Sequence, residues 1–271
     1  MRRLPSGKRW GPRHATRLRQ VPTPPAPSSA EQLPPRSAAV WAALDPVIGA
    51  GTTLRVLDVG GGSGMFAVPL ARLGHQVTVV DPSADALATL ARRAATAGAG
   101  DRVQGVQGDG DQLGDVLPSL TPDDGGFDLV LCHSVLEVVD DPAVTLRDIA
   151  GALRPGGQAS IAAANRAGAV LARAVAGHPV EALALHEDRD PATARSRPTT
   201  RRRFTPADLL ALVEGAGLRP GPWRGVSVVA DLLDAASGAD PDAVRALELA
   251  LSGASPYREV ATGLHVLAGH P

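Results

Sequence analysis

Residues 55–64 read Arg-Val-Leu-Asp-Val-Gly-Gly-Gly-Ser-Gly, an apolar run followed by four glycines in five positions. The first five residues predict a short buried β-strand, and the glycines remove the Cβ atoms that would hold a ligand away from the main chain. The segment that follows, through Leu70 and Leu73, predicts a helix stopped by Gly74. Bare backbone therefore sits between a strand and the positive end of a helix.

The alternation continues. A helix is expected in the segment that starts at Arg36 and contains Trp41, strands at 54–59 and 75–81, and a helix capped by Ser83 that runs to about Ala97. A weaker strand follows at 101–109 and a strong one at 127–133. Next come a helix from Pro142, the turn Arg154-Pro155-Gly156-Gly157, and a strand at 158–165. Residues 166–203 read as an insertion, helical at first and then arginine-rich. Thr205, Pro206 and Asp208 open a helix over 204–217. Segments 218–229 and 262–268 complete the sheet as a late pair, with a helix over 241–252 between them. The expected fold is α/β, a Rossmann-like, doubly wound, mostly parallel sheet of seven strands with helices on both faces.

Composition narrows the class. The chain has 271 residues, 44% of them hydrophobic, enough for a substantial core. No uninterrupted apolar stretch is long enough to span a bilayer. The single cysteine, Cys132, fits a reducing compartment, so a cytoplasmic protein with no membrane partner is expected. With a formal net charge of -1, no global field draws the molecule to nucleic acid. Residues 1–30, however, hold Arg2, Arg3, Lys8, Arg9, Arg13, Arg17 and Arg19 without an acid. Residues 1–35 therefore predict a disordered, basic, proline-rich arm, either a plain tail or a nucleic-acid tether, ahead of a domain at 36–271.

Two ligand classes use glycines at a first strand-to-helix turn: dinucleotides and S-adenosylmethionine. The dinucleotide form needs Gly-x-Gly-x-x-Gly, and Met65 and Phe66 interrupt it here. The spacing that fits is Asp58-x-Gly60-x-Gly62-x-Gly64, with Gly61 inside it. It resembles the first motif of the class I S-adenosylmethionine-dependent methyltransferases, whose glycine backbone lies against the cofactor. Asp81, at the end of the second strand, would accept both ribose hydroxyls. Asp109 and Gly110 follow strand three, where the resemblance implies contact with adenine, unless the turn is polar only because it is exposed. His133 and Ser134 follow strand four, and that edge admits either a structural histidine or a ligand contact. A nucleic-acid-binding protein with a vestigial cofactor fold is the reading from another class; intact Gly60, Gly62, Gly64 and Asp81 argue against it.

From Arg36 onward the chain also resembles the bacterial tRNA 5-carboxymethoxyuridine methyltransferases. The segments that carry this are His133-Ser-Val-Leu-Glu-Val-Val-Asp-Asp-Pro142, Leu153-Arg-Pro-Gly-Gly157, Arg224-Gly-Val-Ser-Val-Val-Ala-Asp-Leu-Leu233 and Pro256-Tyr-Arg-Glu-Val-Ala-Thr-Gly-Leu-His-Val266, in that order. The resemblance implies S-adenosylmethionine as cofactor and a carboxylate-modified wobble uridine of tRNA as methyl acceptor. It maps cofactor contacts onto Arg36, Gly60, Gly61, Asp81, Asp109, Gly110 and His133, with Arg36 on the methionyl carboxylate. A carboxylate nucleophile, which ordinarily titrates at about pH 4, is ionised at neutral pH and needs no general base. No catalytic residue, metal ligand or protein partner is assigned.

An anionic acceptor needs cations. Arg195, Arg197, Arg201, Arg202 and Arg203 supply them with no acid among them, although Lys8 is the only lysine and arginine here partly reflects coding bias. Reading an unstacked base calls for aromatic platforms. Trp41, Phe66 and Phe127 are expected in the core, which leaves Phe204, Trp223 and Tyr257. Tyr257 and Arg201 to Arg203 are the candidate acceptor contacts. The alternative is a small-molecule O- or N-methyltransferase on the same fold.

Overall fold

The computed structural model describes residues 34–49, 51–120, 125–187, 201–233 and 238–271. Almost all of the predicted arm, and Arg195 and Arg197, lie outside them. Strands β1 (Arg55–Val59), β2 (Gln76–Asp81), β3 (Val103–Gln107), β4 (Phe127–His133) and β5 (Leu153–Ala164) are mutually parallel. Three late strands, β6 (Arg219–Pro220), β7 (Arg224–Val226) and β8 (Gly263–Gly269), close the sheet. The order is β3-β2-β1-β4-β5-β8-β6, with β7 on β8, which runs antiparallel to β5.

The expected late strand at 218–229 is thus two short pieces, and the described residues hold eight strands where the sequence predicts seven. Pro220 ends β6 and Pro222 lies in the break, and neither has an N–H to donate to a ladder. Gly221 between them still bonds the carbonyl of Leu267.

Helices cover both faces because the central strands are apolar on both. On one face α4 (Leu113–Leu120), α5 (Pro142–Ala152) and α8 (Pro206–Gly215) bury Leu113, Leu146, Ile149, Leu209 and Val213 against β1, β4 and β5. On the other, α1 (Ala38–Ile48), α2 (Ala67–Arg72) and α3 (Ala84–Thr96) bury Trp41, Leu44, Leu70 and Leu90. Strands enclosed from both sides read as continuous rather than alternating apolar runs. Ser83 caps α3 by accepting from the Ala86 amide, and Thr205 with Asp208 forms a full capping box on α8. Helix α4 has no counterpart in the sequence reading; Gly114 and Pro118 obscure its period. The insertion begins with α6 (Arg166–Val175) and α7 (Pro179–Glu187).

Helix α9 (Pro241–Ser252) anchors the loop that leaves β7. Glu248 is buried, and its carboxylate accepts the backbone N–H groups of Val228, Val229 and Ala230 at 2.8, 2.8 and 2.7 Å. One side chain thus satisfies three successive donors that no strand reaches. Glu248→Gln turns one acceptor into a donor that faces an N–H, and should cost about 2 kcal/mol in urea denaturation; an unchanged midpoint would show the clamp to be idle.

Candidate active site

The first β–α loop is held by the neighbouring strand. Gly60 N–H bonds the carbonyl of Val80 at 2.7 Å, and Gly62 N–H donates to Asp81 Oδ2 at 2.9 Å. Asp81 Oδ1 accepts from Ser83 N–H, also at 2.9 Å. A carboxylate offers about four lone-pair positions, so after these two bonds Asp81 keeps acceptor capacity at the carboxyl edge of the sheet.

The glycines serve separate ends. Gly62 adopts φ +54°, in the left-handed region that favours glycine. A Cβ on Gly61 would lie 2.4 Å from Asp58 Oδ2, and one on Gly64 2.3 Å from Leu90 Cδ1. Gly61 therefore lets the loop close over Asp58, and Gly64 lets the loop pack on α3. Gly60 has the same close-packing role against Val135.

Asp58 lies beneath this loop with Oδ2 unpartnered. Burial, helped by the nearby Asp81 charge, pushes its carboxyl up to about 7. Asp109 caps a short turn and accepts from the Asp111 amide at 3.2 Å. Asp111 in turn accepts from Asp140 N–H at 2.5 Å, which ties the loop after β3 to the loop after β4. Gly110 fits beneath Val139, where a Cβ would come within 2.9 Å.

His133 ends β4. Its Nε2 meets Ser160 Oγ at 2.8 Å, and its Nδ1 is buried without a partner. Phe66 stands edge-on to the imidazole at 4.6 Å and stacks on Trp41 at 5.0 Å, so these two rings form the wall beside His133.

Beyond His133 the ends of β4, β5 and β8 frame a cavity of about 260 Å³. Ser134, Glu137, Ser227, Asp231 and Thr262 supply its polar wall. Ser134 and Ser227 both have positive φ, 61° and 55°, an uncommon geometry for serine. Glu137 Oε1 accepts from Ala164 N–H at 2.7 Å, while Oε2 is buried and unpartnered. Burial raises its pKa against the opposing pull of Arg201 and Arg203. Asp231 binds Arg36 Nε at 2.8 Å and accepts from Thr262 Oγ1 at 2.5 Å. Arg36, expected to meet a methionyl carboxylate, here stands largely exposed at the rim and paired with Asp231. Glu137, Asp231 and Thr262 belong to segments that carry the family resemblance, but no local pattern marks them as site residues. Only the fold shows that they share a wall.

The arginine run divides. Arg202 is buried, and its guanidinium donates to the carbonyls of Val139 and Asp140, while its own N–H bonds the Glu137 carbonyl. The expectation that it offers a free cation to the acceptor is corrected: its donors anchor the β4–α5 loop. Arg201 is exposed and Arg203 half-buried. The Arg203 pKa is lowered by burial and by the charges of Arg173 and Arg201, against the opposing charge of Glu137. Of the aromatic candidates, Phe204 is core, Trp223 lies under the Arg258 guanidinium at 4.3 Å, and Tyr257 is 49% exposed.

The Asp58 geometry has a thermodynamic sign. Its folded pKa stands above the usual carboxylate value, so the folded state holds the proton longer than the unfolded chain. Stability is then lost as pH rises from about 4 through about 7. Asp58→Asn removes that loss. Its melting temperature should gain on the parent's between pH 5 and pH 8, and an equal difference at both pH values would contradict the buried carboxyl.

A methyltransferase-domain family model matches residues 57–161. The tRNA 5-carboxymethoxyuridine methyltransferase of Escherichia coli strain K12 is 37% identical over 145 residues, 53% of this chain and 53% of that protein. The chain thus spans about half the length of this relative. The ubiquinone biosynthesis O-methyltransferase of Xanthomonas campestris pv. campestris strain B100 is 33% identical over 172 residues, 63% of this chain and 68% of that protein. Among solved structures, an S-adenosylmethionine-dependent methyltransferase from Mesorhizobium loti superposes with a TM-score of 0.56 at 20% identity, covering 87% of this chain and 99% of its own. That last likeness shows the fold. Glycine loop, sheet order and relatives agree: the chain belongs to the class I S-adenosylmethionine-dependent methyltransferases.

Proposed function

We propose that this protein transfers the methyl group of S-adenosylmethionine to a carboxylate on a modified wobble uridine of tRNA, 5-carboxymethoxyuridine. The observation that carries the acceptor is the Arg201–Arg203 pair, one exposed and one half-buried, on the segment whose backbone bonds Glu137 and Ala164 at the carboxyl edge. Guanidinium groups suit both phosphates and a carboxylate. The likeness to the Escherichia coli tRNA enzyme supports the same reading. A cavity of about 260 Å³ is of a size for one pyrimidine ring and its substituent.

The residues present fit the cofactor. Asp81 keeps acceptor capacity for ribose hydroxyls, Gly60 to Gly62 expose main chain beside it, and Asp58 Oδ2 and His133 Nδ1 are polar atoms left without partners. When bound, the cofactor supplies an electrophilic methyl on a positively charged sulfur. The chain's part is to align nucleophile and methyl and to exclude water. Asp81 and the glycines hold the donor, the Phe66–Trp41 wall shuts one side, and Arg201 and Arg203 draw in the anionic acceptor. The acceptor carboxylate is already ionised, so no proton need leave it.

A second reading rests on the acid wall. Glu137 Oε2 has no partner and its pKa is raised, which suits it to take a proton from a hydroxyl acceptor, and the Xanthomonas relative is named as an O-methyltransferase. This reading predicts that the arginines are dispensable.

Two measurements test the proposal. Asp81→Ala should abolish S-adenosylmethionine binding by calorimetry while the far-ultraviolet circular dichroism stays native; retained affinity would remove the cofactor assignment. Changing Arg201 and Arg203 together to Ser should weaken tRNA binding roughly tenfold and lower the salt slope by about 2. Indifference of methylation to that double change, with turnover on a small hydroxylated aromatic, would favour the second reading.

A further inference from the structure

Half-buried His133 and buried Ser160 and His265 form a continuous hydrogen-bonded row across β4, β5 and β8. His133 Nε2 lies 2.8 Å from Ser160 Oγ, and the same hydroxyl lies 2.8 Å from His265 Nε2. Ser160 is 0% and His265 1% exposed. Register explains the alignment. His133 pairs with Ala162, Ala162 pairs with His265, and Ser160 is two residues back on β5, so all three project from one face of the sheet. The row ends at His133 Nδ1, buried and unpartnered beside Phe66.

Burial keeps both rings neutral. It pushes the His133 pKa down to about 4, and that of His265 to about 3 with the added influence of His133 and Arg224. A neutral imidazole has one N–H and one lone pair, and a serine hydroxyl has one proton. If Ser160 donates to one ring it must accept from the other, so the two tautomers are locked together. Strand order sets Arg224 on β7, on the other side of His265 from Ser160 on β5, and its charge lowers the His265 pKa. Nε2 faces Ser160, so a cation on the far side disfavours an N–H on the remaining nitrogen, Nδ1, and this assigns the proton to Nε2. That proton points to Ser160 Oγ, the Ser160 hydroxyl donates to His133 Nε2, and His133 carries its own proton on Nδ1.

We propose that Ser160 and His265 are positioning residues that hold His133 as its Nδ1–H tautomer, which gives the site a neutral hydrogen-bond donor for a carboxylate oxygen. The proposal rests on the methyl-transfer reading above. Neutrality matters because an imidazolium here would oppose a cationic sulfonium in a poorly solvated site. Two carboxylates reach such a site, the methionyl group of the cofactor and the acceptor's own, and they share this chemistry.

Proton order can be read without turnover, by heteronuclear NMR of the imidazole nitrogens in the full chain. His133 should be protonated at Nδ1 in the parent protein. Ser160→Ala and His265→Leu should each mix its tautomers, whereas His265→Gln, whose amide can still donate to Ser160, should keep the parental pattern. If Ser160→Ala fails to fold, the two His265 variants carry the test. A bare Nδ1 in the parent, or a pattern that ignores all of these changes, overturns the proposal. Calorimetry with S-adenosylhomocysteine, which retains the methionyl carboxylate, identifies the oxygen. A loss of roughly three- to tenfold in Ser160→Ala assigns the donor to the cofactor. Unchanged affinity with a raised KM for the acceptor assigns it to the acceptor, and neither change sinks the idea. Should tRNA not be methylated at all, the acceptor assignment fails while the tautomer result stands on its own.

Discussion

A single carboxylate ties the site to the sheet. Asp81 accepts from the loop after β1 and from the turn that starts α3, so two backbone segments converge on one side chain at the end of β2. Strand pairing puts it there: Val59 is in register with Val80, and Gly60 extends that ladder by one bond. Once the loop is pinned from the side, it settles over Asp58, and only glycine at 61 leaves room for that carboxyl. Burial and the charge of Asp81 beside the loop then raise the cost of ionising Asp58 beneath it.

Charge is mixed around this edge. The cavity wall carries buried Glu137 and exposed Asp231, with Arg36 paired to Asp231 and Arg201 and Arg203 on the segment that bonds the Glu137 backbone. Glu248 preserves this layout from a distance, since the loop it clamps carries Asp231, and Asp231 holds Arg36.

Much of the fold is legible in the sequence because its signals are local. The runs at β1, β2 and β4, the cap at Ser83 and the box at Thr205 each depend on neighbours within a few residues. Helix α4 escapes because glycine and proline interrupt it, and the late strand reads too long across Pro220 and Pro222. The glycine loop and Asp81 announce themselves by composition and by position at strand ends. Ser160 and His265 do not: 105 residues separate them, and only antiparallel register brings them together. Glu137 sits within a family-like segment, yet nothing local says that one of its oxygens is unpartnered. A run of three arginines likewise conceals which of them is buried.

That burial pattern has an evolutionary reading. Along an extended segment neighbouring side chains point opposite ways, so Arg202 turns inward to brace the scaffold while Arg201 is exposed and Arg203 half-buried. On the proposed function, bracing and attraction of the acceptor fall to different side chains, so selection could retune Arg201 and Arg203 without loosening the brace at Arg202.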